Sequence, residues 1–198
     1  PVSHIVGNPE APVTLTEYIS YTCPHCRDFS RQGEEILKLG YVQPGKLRME
    51  YRHVAANMTD LTAAMLARCG APEKFPANHA ALMTAQPQFN ALRRMASKSQ
   101  TDRWNYGDQA ARRRAVASDL NLYAILERRG YSRSELDQCL ADQDLAERIV
   151  SAIEADEAEH GPIPTPSFAV DGELLPGVHT WEQLQETLGA PLPASQTP

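Results

Sequence analysis

The sequence predicts an α/β fold: a four-stranded mixed sheet whose two halves are separated along the chain by an all-helical insertion. Three observations lead there. A strand, a helix and a second strand occupy the stretch up to Val54, roughly 100 residues without any alternating apolar pattern follow, and a hairpin plus a helix close the ordered part.

Residues 12–19 alternate, with Val13, Leu15 and Ile19 on one phase, as in a strand with one buried face. Glu17 falls on that same apolar phase. A second strand runs from Lys46 to Val54, where Leu47, Met49 and Tyr51 alternate with Arg48, Glu50 and Arg52. Between them, Cys26, Phe29, Ile36 and Leu37 recur at helical spacing; Pro24 suits the first turn and Gly40 the position just past the end. A connection of that length favours a parallel, right-handed crossover.

From Thr59 to His160 only helices are legible. Leu61, Met65 and Cys69 form one stripe. Ser132 and Glu135 make a capping box that opens a helix carrying Leu136, Cys139 and Leu140, and a longer helix runs from about Gln143 and stops before Gly161. Then come Pro162, Pro164 and Pro166, a strand Ser167–Val170, an Asp171–Gly172 turn, a partner strand Glu173–Val178, and a helix capped by Thr180 with Gln183. The expected organisation is a sheet domain from residues 1–58 and 161–189, a helical domain over 59–160, and a frayed tail over 190–198.

Composition narrows the function. The 198 residues are 42% hydrophobic and 22% charged, with no apolar run long enough to cross a bilayer. A net charge of −6 removes the electrostatic attraction on which nucleic-acid binders rely. The triplet Arg112, Arg113, Arg114 reads as a solvated helix face. His4, His53, His79, His160 and His179 show no metal-ligand spacing and read as ordinary surface or core residues.

The informative motif is Cys23-Pro24-His25-Cys26, after the first strand and at the start of the first helix. Zinc sites use the same spacing but supply a second pair, and haem attachment would need His where Arg27 stands. A thiolate at a helix N-terminus is stabilised by unpaired N–H groups and the helix dipole, so Cys23 is the expected nucleophile. His25 should lower its pKa further, as a positive charge or a donor. A fall of roughly three units favours the reduced dithiol by about 4 kcal/mol, near 90 mV, which makes the disulfide an oxidant. Cys26, one turn inside, should be less exposed and act as the resolving thiol. Cys69 and Cys139 lie on apolar stripes of two helices; linked, they would close a loop of about 70 residues worth roughly 4 kcal/mol. The alternative is two buried free thiols.

With these residues in hand, the chain resembles the DsbA family of bacterial thiol oxidoreductases over roughly Ile5 to Leu188. The Cys-Pro-His-Cys motif after a strand, the helical insertion and the Thr165-Pro166 pair before a strand carry the resemblance. It implies a thioredoxin-like fold, with Pro166 a cis-proline against the cysteine pair and Thr165 offering its backbone to substrate. Glu17, six residues before Cys23, matches a carboxylate that lies beneath the active site in the family. Buried, it would carry a raised pKa and move the proton of Cys26; the alternative is an inert ion pair with the second strand.

What the resemblance implies is a monomeric periplasmic oxidase that needs no cofactor and no metal. It would hand its disulfide to reduced exported proteins and be reoxidised by a DsbB-like membrane partner. The chain begins at Pro1 without an initiator Met or a leader, so a secretion signal would have been removed. Thr165, where the best-known oxidants have Val, is common in isomerase relatives. Those isomerases carry a dimerisation domain ahead of the fold, whereas about a dozen residues precede the first strand here, which favours the oxidase. Three other readings compete: an isomerase or reductase using the same residues, a metal module built from Cys23, His25 and Cys26, and a peptide-binding chaperone without redox activity.

Overall fold

The structure is a computed structural model that describes residues 3–54 and 57–189. Five strands form one mixed sheet: β1 (His4–Val6), β2 (Thr14–Ile19), β3 (Arg48–His53), β4 (Ser167–Val170) and β5 (Glu173–Leu174), in the order β1-β3-β2-β4-β5. β2 and β3 are parallel, as a helical crossover demands, and the other pairings are antiparallel. The expected four strands are therefore five. The added strand, β1, is three residues long, too short for alternation to reveal it; its pairing with β3 defines it. The hairpin partner expected to reach Val178 stops at Leu174. Asp171 and Gly172 both adopt positive φ (49° and 89°), the mirror-image turn that matches strand twist.

Register sorts the two faces. Leu15, Glu17 and Ile19 lie beside Met49, Tyr51 and His53 of β3, and Leu15 and Glu17 also lie beside Val170 and Phe168 of β4. These side chains share one buried face. Opposite, Thr16 Oγ1 donates to Glu50 Oε2 (2.8 Å) and Arg52 pairs with Asp156 (2.6 Å) of α9 (Gln143–His160), so the polar face is satisfied by a helix laid across it.

The crossover runs as α1 (Pro24–Phe29), a wide π turn Ser30–Glu34, α2 (Glu35–Leu37) and a second wide turn Lys38–Val42. The sequence predicts one regular helix ending just before Gly40; instead the coil continues through Gly40 to Val42. Each wide turn admits an extra residue and rotates the apolar stripe, so Leu37 is buried while Ile36 is 48% exposed. Phe29 against Phe168 (4.7 Å between rings) sets this segment on the apolar face. Gly33 is required there, because a Cβ would come within 2.6 Å of the Trp181 indole.

Between β3 and β4 the chain is helical: α3 (Met58–Ala67), α4 (Phe75–Arg94), α5 (Lys98–Asn105), α6 (Gln109–Asp119), α7 (Leu122–Glu127), α8 (Arg133–Ala141) and α9. From Thr59 onward α3 is buried throughout, which Ala63, Ala64 and Ala67 permit by letting neighbours approach closely. Ser132 and Glu135 form the expected capping box of α8, and Thr180 with Gln183 caps α10 (Trp181–Gly189). The arginine triplet is not a solvated face: Arg113 is 1% exposed, its Nε donating to the Leu140 carbonyl (2.7 Å) and its terminal nitrogens to Gln143. The end of α8 presents acceptors that this guanidinium fills, an arrangement invisible in local sequence. The tail expected over 190–198 lies outside the described residues. Among the described residues no helix is long and apolar enough to cross a membrane.

Candidate active site

Cys23 ends the turn after β2 and is the N-cap of α1, with extended backbone and Pro24 in the first helical position. Its side chain is half-buried; Cys26, one turn inside, is fully buried, and both thiols are free. The Thr165–Pro166 peptide bond is cis, and the Cys23 thiol donates to the Thr165 carbonyl at 3.1 Å.

The environment splits the two thiols. Cys23 is drawn down to about 5, first by the hydrogen bond from the Cys26 thiol; burial opposes this, and the Thr165 side chain and the backbone N–H groups of Cys26 and His25 reinforce it. Cys26 is pushed well up, first by burial, then by Cys23, with the Glu17 carboxylate adding to the rise. At neutral pH Cys23 is therefore the anion and Cys26 the proton carrier. The Thr165 carbonyl works the other way, since it accepts only from the protonated sulfur. His25 supplies a donor to the sulfur through its backbone N–H, and its ring is exposed.

Glu17 is fully buried on the apolar face, and neither carboxylate oxygen has a hydrogen-bond partner. Burial first, and then the Glu34 charge, push its carboxyl well above the usual range, against Lys38.

Three site residues escape sequence reading. Asp60, in the first turn of α3, accepts from Ser20 Oγ (3.0 Å) and Thr22 Oγ1 (2.6 Å) and from the Tyr21 N–H, fixing the turn that leads into Cys23. From α4, Gln86 Nε2 donates to the Cys23 carbonyl (2.7 Å) and Asn90 Nδ2 to the Thr22 carbonyl (3.2 Å). The helical block thus holds the carbonyls of Thr22 and Cys23 from α4. A signal existed: Gln86 and Asn90 fall on the buried phase of α4 with Leu82, Met83 and Phe89. Cys69 and Cys139 are disulfide-bonded, with Cα atoms 5.6 Å apart, tying the end of α3 to α8. Among the described residues no group of three His, Cys, Asp or Glu side chains is placed to hold a metal ion.

Residues 1–190 match the sequence profile of the thioredoxin family, and the chain belongs to that family. Within it, the fold is that of the DsbA-like disulfide oxidoreductases. The chain is 38% identical to a crystal structure titled protein-disulfide isomerase from Novosphingobium aromaticivorans, with a TM-score of 0.90 over 95% of this chain and 96% of that one. Alpha-DsbA1 of Wolbachia pipientis has the same fold at 22% identity, TM-score 0.73, over 96% of this chain and 90% of that one. A Rickettsia typhi protein provisionally named a protein-disulfide oxidoreductase is 28% identical over 169 residues, 85% of this chain and 54% of that protein. The chain spans about half the length of the curated relatives it matches.

Proposed function

We propose that the protein is a thiol:disulfide oxidase that donates a Cys23–Cys26 disulfide to reduced proteins. The observation that carries this reading is the split between the two thiols: a half-exposed Cys23 held as an anion at a helix start, over a buried Cys26 that keeps its proton. Stabilising the reduced form makes the disulfide the oxidant. In the first step a substrate thiolate attacks Cys23 Sγ, the Cys23–Cys26 bond breaks, and its electron pair goes to Cys26 Sγ. That sulfur takes the proton held by Glu17, and Glu17 recovers one from solvent. A second substrate thiolate then attacks the substrate sulfur of the mixed disulfide and expels Cys23 as the stable thiolate. The substrate leaves with its disulfide and the enzyme is left reduced.

Thr165 presents its carbonyl to the Cys23 sulfur, and the bond to Pro166 that follows is cis. A proline there presents no N–H, and the Thr165 backbone is left to pair with an extended peptide. By the same reading the protein works as a monomer in the periplasm on exported proteins and is reoxidised by a DsbB-like membrane protein. Sheet domain (1–58 with 161–189) and helical domain (59–160) divide the labour, the first carrying the thiols and the second clamping their loop.

The test adds oxidised protein to a reduced, unfolded substrate with several cysteines. Substrate thiols should disappear as Cys23 and Cys26 become alkylatable, and Cys23→Ser should abolish the transfer. A second reading, disulfide isomerase, is favoured by the name of the 38% identical structure. Rescue of a scrambled substrate by the reduced protein, faster than oxidation of a reduced one, would select it.

A further inference from the structure

Beneath the two thiols lies a buried chain of polar groups that the exchange steps leave unused. Tyr21, two residues before Cys23, places its hydroxyl 2.9 Å from Nδ1 of His79 on α4. The other ring nitrogen, Nε2, lies 2.9 Å from Oε1 of Glu34 in the first wide turn of the crossover. All three residues are buried to 3% exposure or less. One proton arrangement satisfies the whole chain: Tyr21 O–H donates to Nδ1, and Nε2–H donates to the Glu34 carboxylate.

Glu17 is the cross-strand neighbour of Tyr51, whose ring packs 5.0 Å from the His79 ring that holds Glu34, so two carboxyls are buried on the same side of the sheet in very different company. Glu34 has a histidine donor and Lys38 nearby; Glu17 has no hydrogen-bond partner at all. Burial works against the Glu34 anion, but His79 and Lys38 together draw it below the usual carboxylate range. A buried charge persists only when paired, and a second like charge beside it is disfavoured. Facing Glu17 are Glu34 and Lys38 from the crossover, Cys26 from α1, Tyr51 from β3 and Tyr21 from the turn after β2. Facing His79 are Glu34, Tyr21 and Tyr51, with Phe75 stacked on its ring; His4 and His53 are close enough to feel its charge, and Arg68 acts on those two histidines.

We propose that Glu34 and His79 form a positioning pair: a fixed, histidine-anchored negative charge that holds the proton on Glu17 until the Cys26 sulfur leaves Cys23 and takes it. The inference rests on the exchange reading above. It adds that once Glu17 has given its proton to Cys26, repulsion from Glu34 drives its reprotonation and resets the site.

The test reads Glu17 directly. In the reduced full chain, carboxyl carbons are labelled and the Glu17 resonance, assigned by Glu17→Gln, is followed against pH. In Glu34→Gln the Glu17 midpoint should fall by about one unit or more, a tenfold stronger acid. His79→Gln, which leaves Glu34 without its partner, should lower it in the same direction. Glu34→Asp, which keeps the charge, should retain the wild-type midpoint. A merely structural pair would lower melting temperature and leave the Glu17 midpoint in place. Should Glu34→Gln not fold, His79→Gln and Glu34→Asp decide between the same outcomes. An unmoved Glu17 midpoint in the folded neutral variants overturns the proposal even if disulfide transfer is intact. Loss of transfer in the wild type overturns the exchange reading instead, whatever Glu17 does.

Discussion

Replacing Cys26 by Ala removes the largest influence that holds Cys23 as a thiolate, the hydrogen bond from the Cys26 thiol. A hydrogen bond to a charged acceptor is worth about 1.5–3 kcal/mol, and one pH unit corresponds to about 1.4 kcal/mol, so the bond accounts for about one to two units. Cys23 is partly open to water, which competes for the anion and moves the expectation toward the lower end. The variant keeps the N–H groups of Cys26 and His25 and the Thr165 side chain, so its midpoint should rise from about 5 by about one unit rather than return to the free thiol value. The assay is thiolate absorbance in the ultraviolet against pH, with Cys23 the titrating thiol. A midpoint still near 5 would mean that the helix start holds the anion alone. A return to the free value of about 8.5 would mean that the backbone donors contribute nothing.

Other perturbations have equally definite outcomes. Because the folded Cys23 thiol is lowered, the reduced protein gains stability that is complete above the unfolded thiol pKa and lost as pH falls through about 5. The melting-temperature gap between reduced and oxidised protein should therefore shrink as pH drops from 8 toward about 5; a constant gap refutes the thiolate. Glu17 is raised, so the wild type loses stability as pH climbs above the unfolded carboxyl value. Glu17→Gln should therefore stabilise the protein at pH 7 in denaturant titration, with the gain gone at pH 4. Cys69→Ser with Cys139→Ser opens a loop spanning 70 residues and should cost about 4 kcal/mol while disulfide transfer persists. Gly33→Ala drives a methyl into the Trp181 ring and should cost about 1–3 kcal/mol; an unchanged melting temperature would show that α10 moves freely.

Where local chemistry sets structure, the sequence alone was enough. The alternation of β2 and β3, the capping boxes at Ser132 and Thr180, and the Asp171–Gly172 turn all follow from neighbours within four residues. So does the placing of Cys23 at a helix start, the position that makes its sulfur acidic. Glu17 was legible because a carboxylate on an apolar strand phase breaks a short-range pattern. β1 was not, since three residues gain strand geometry only from β3. The wide turns that expose Ile36, and the guanidinium of Arg113 folded under α8, likewise depend on partners far along the chain.

What the amino-acid order determined by itself is the chemistry available: a cysteine pair at a helix start, a carboxyl on an apolar strand phase and a proline-bearing loop. Only the tertiary structure decided their energies. Desolvation and hydrogen bonding act through space, so the anion on Cys23 waits on a thiol one turn away and the Thr165 loop 142 residues distant. The clamp from Gln86 and Asn90, and the Glu34–His79 pair beneath, exist only once the helical block has closed over the sheet.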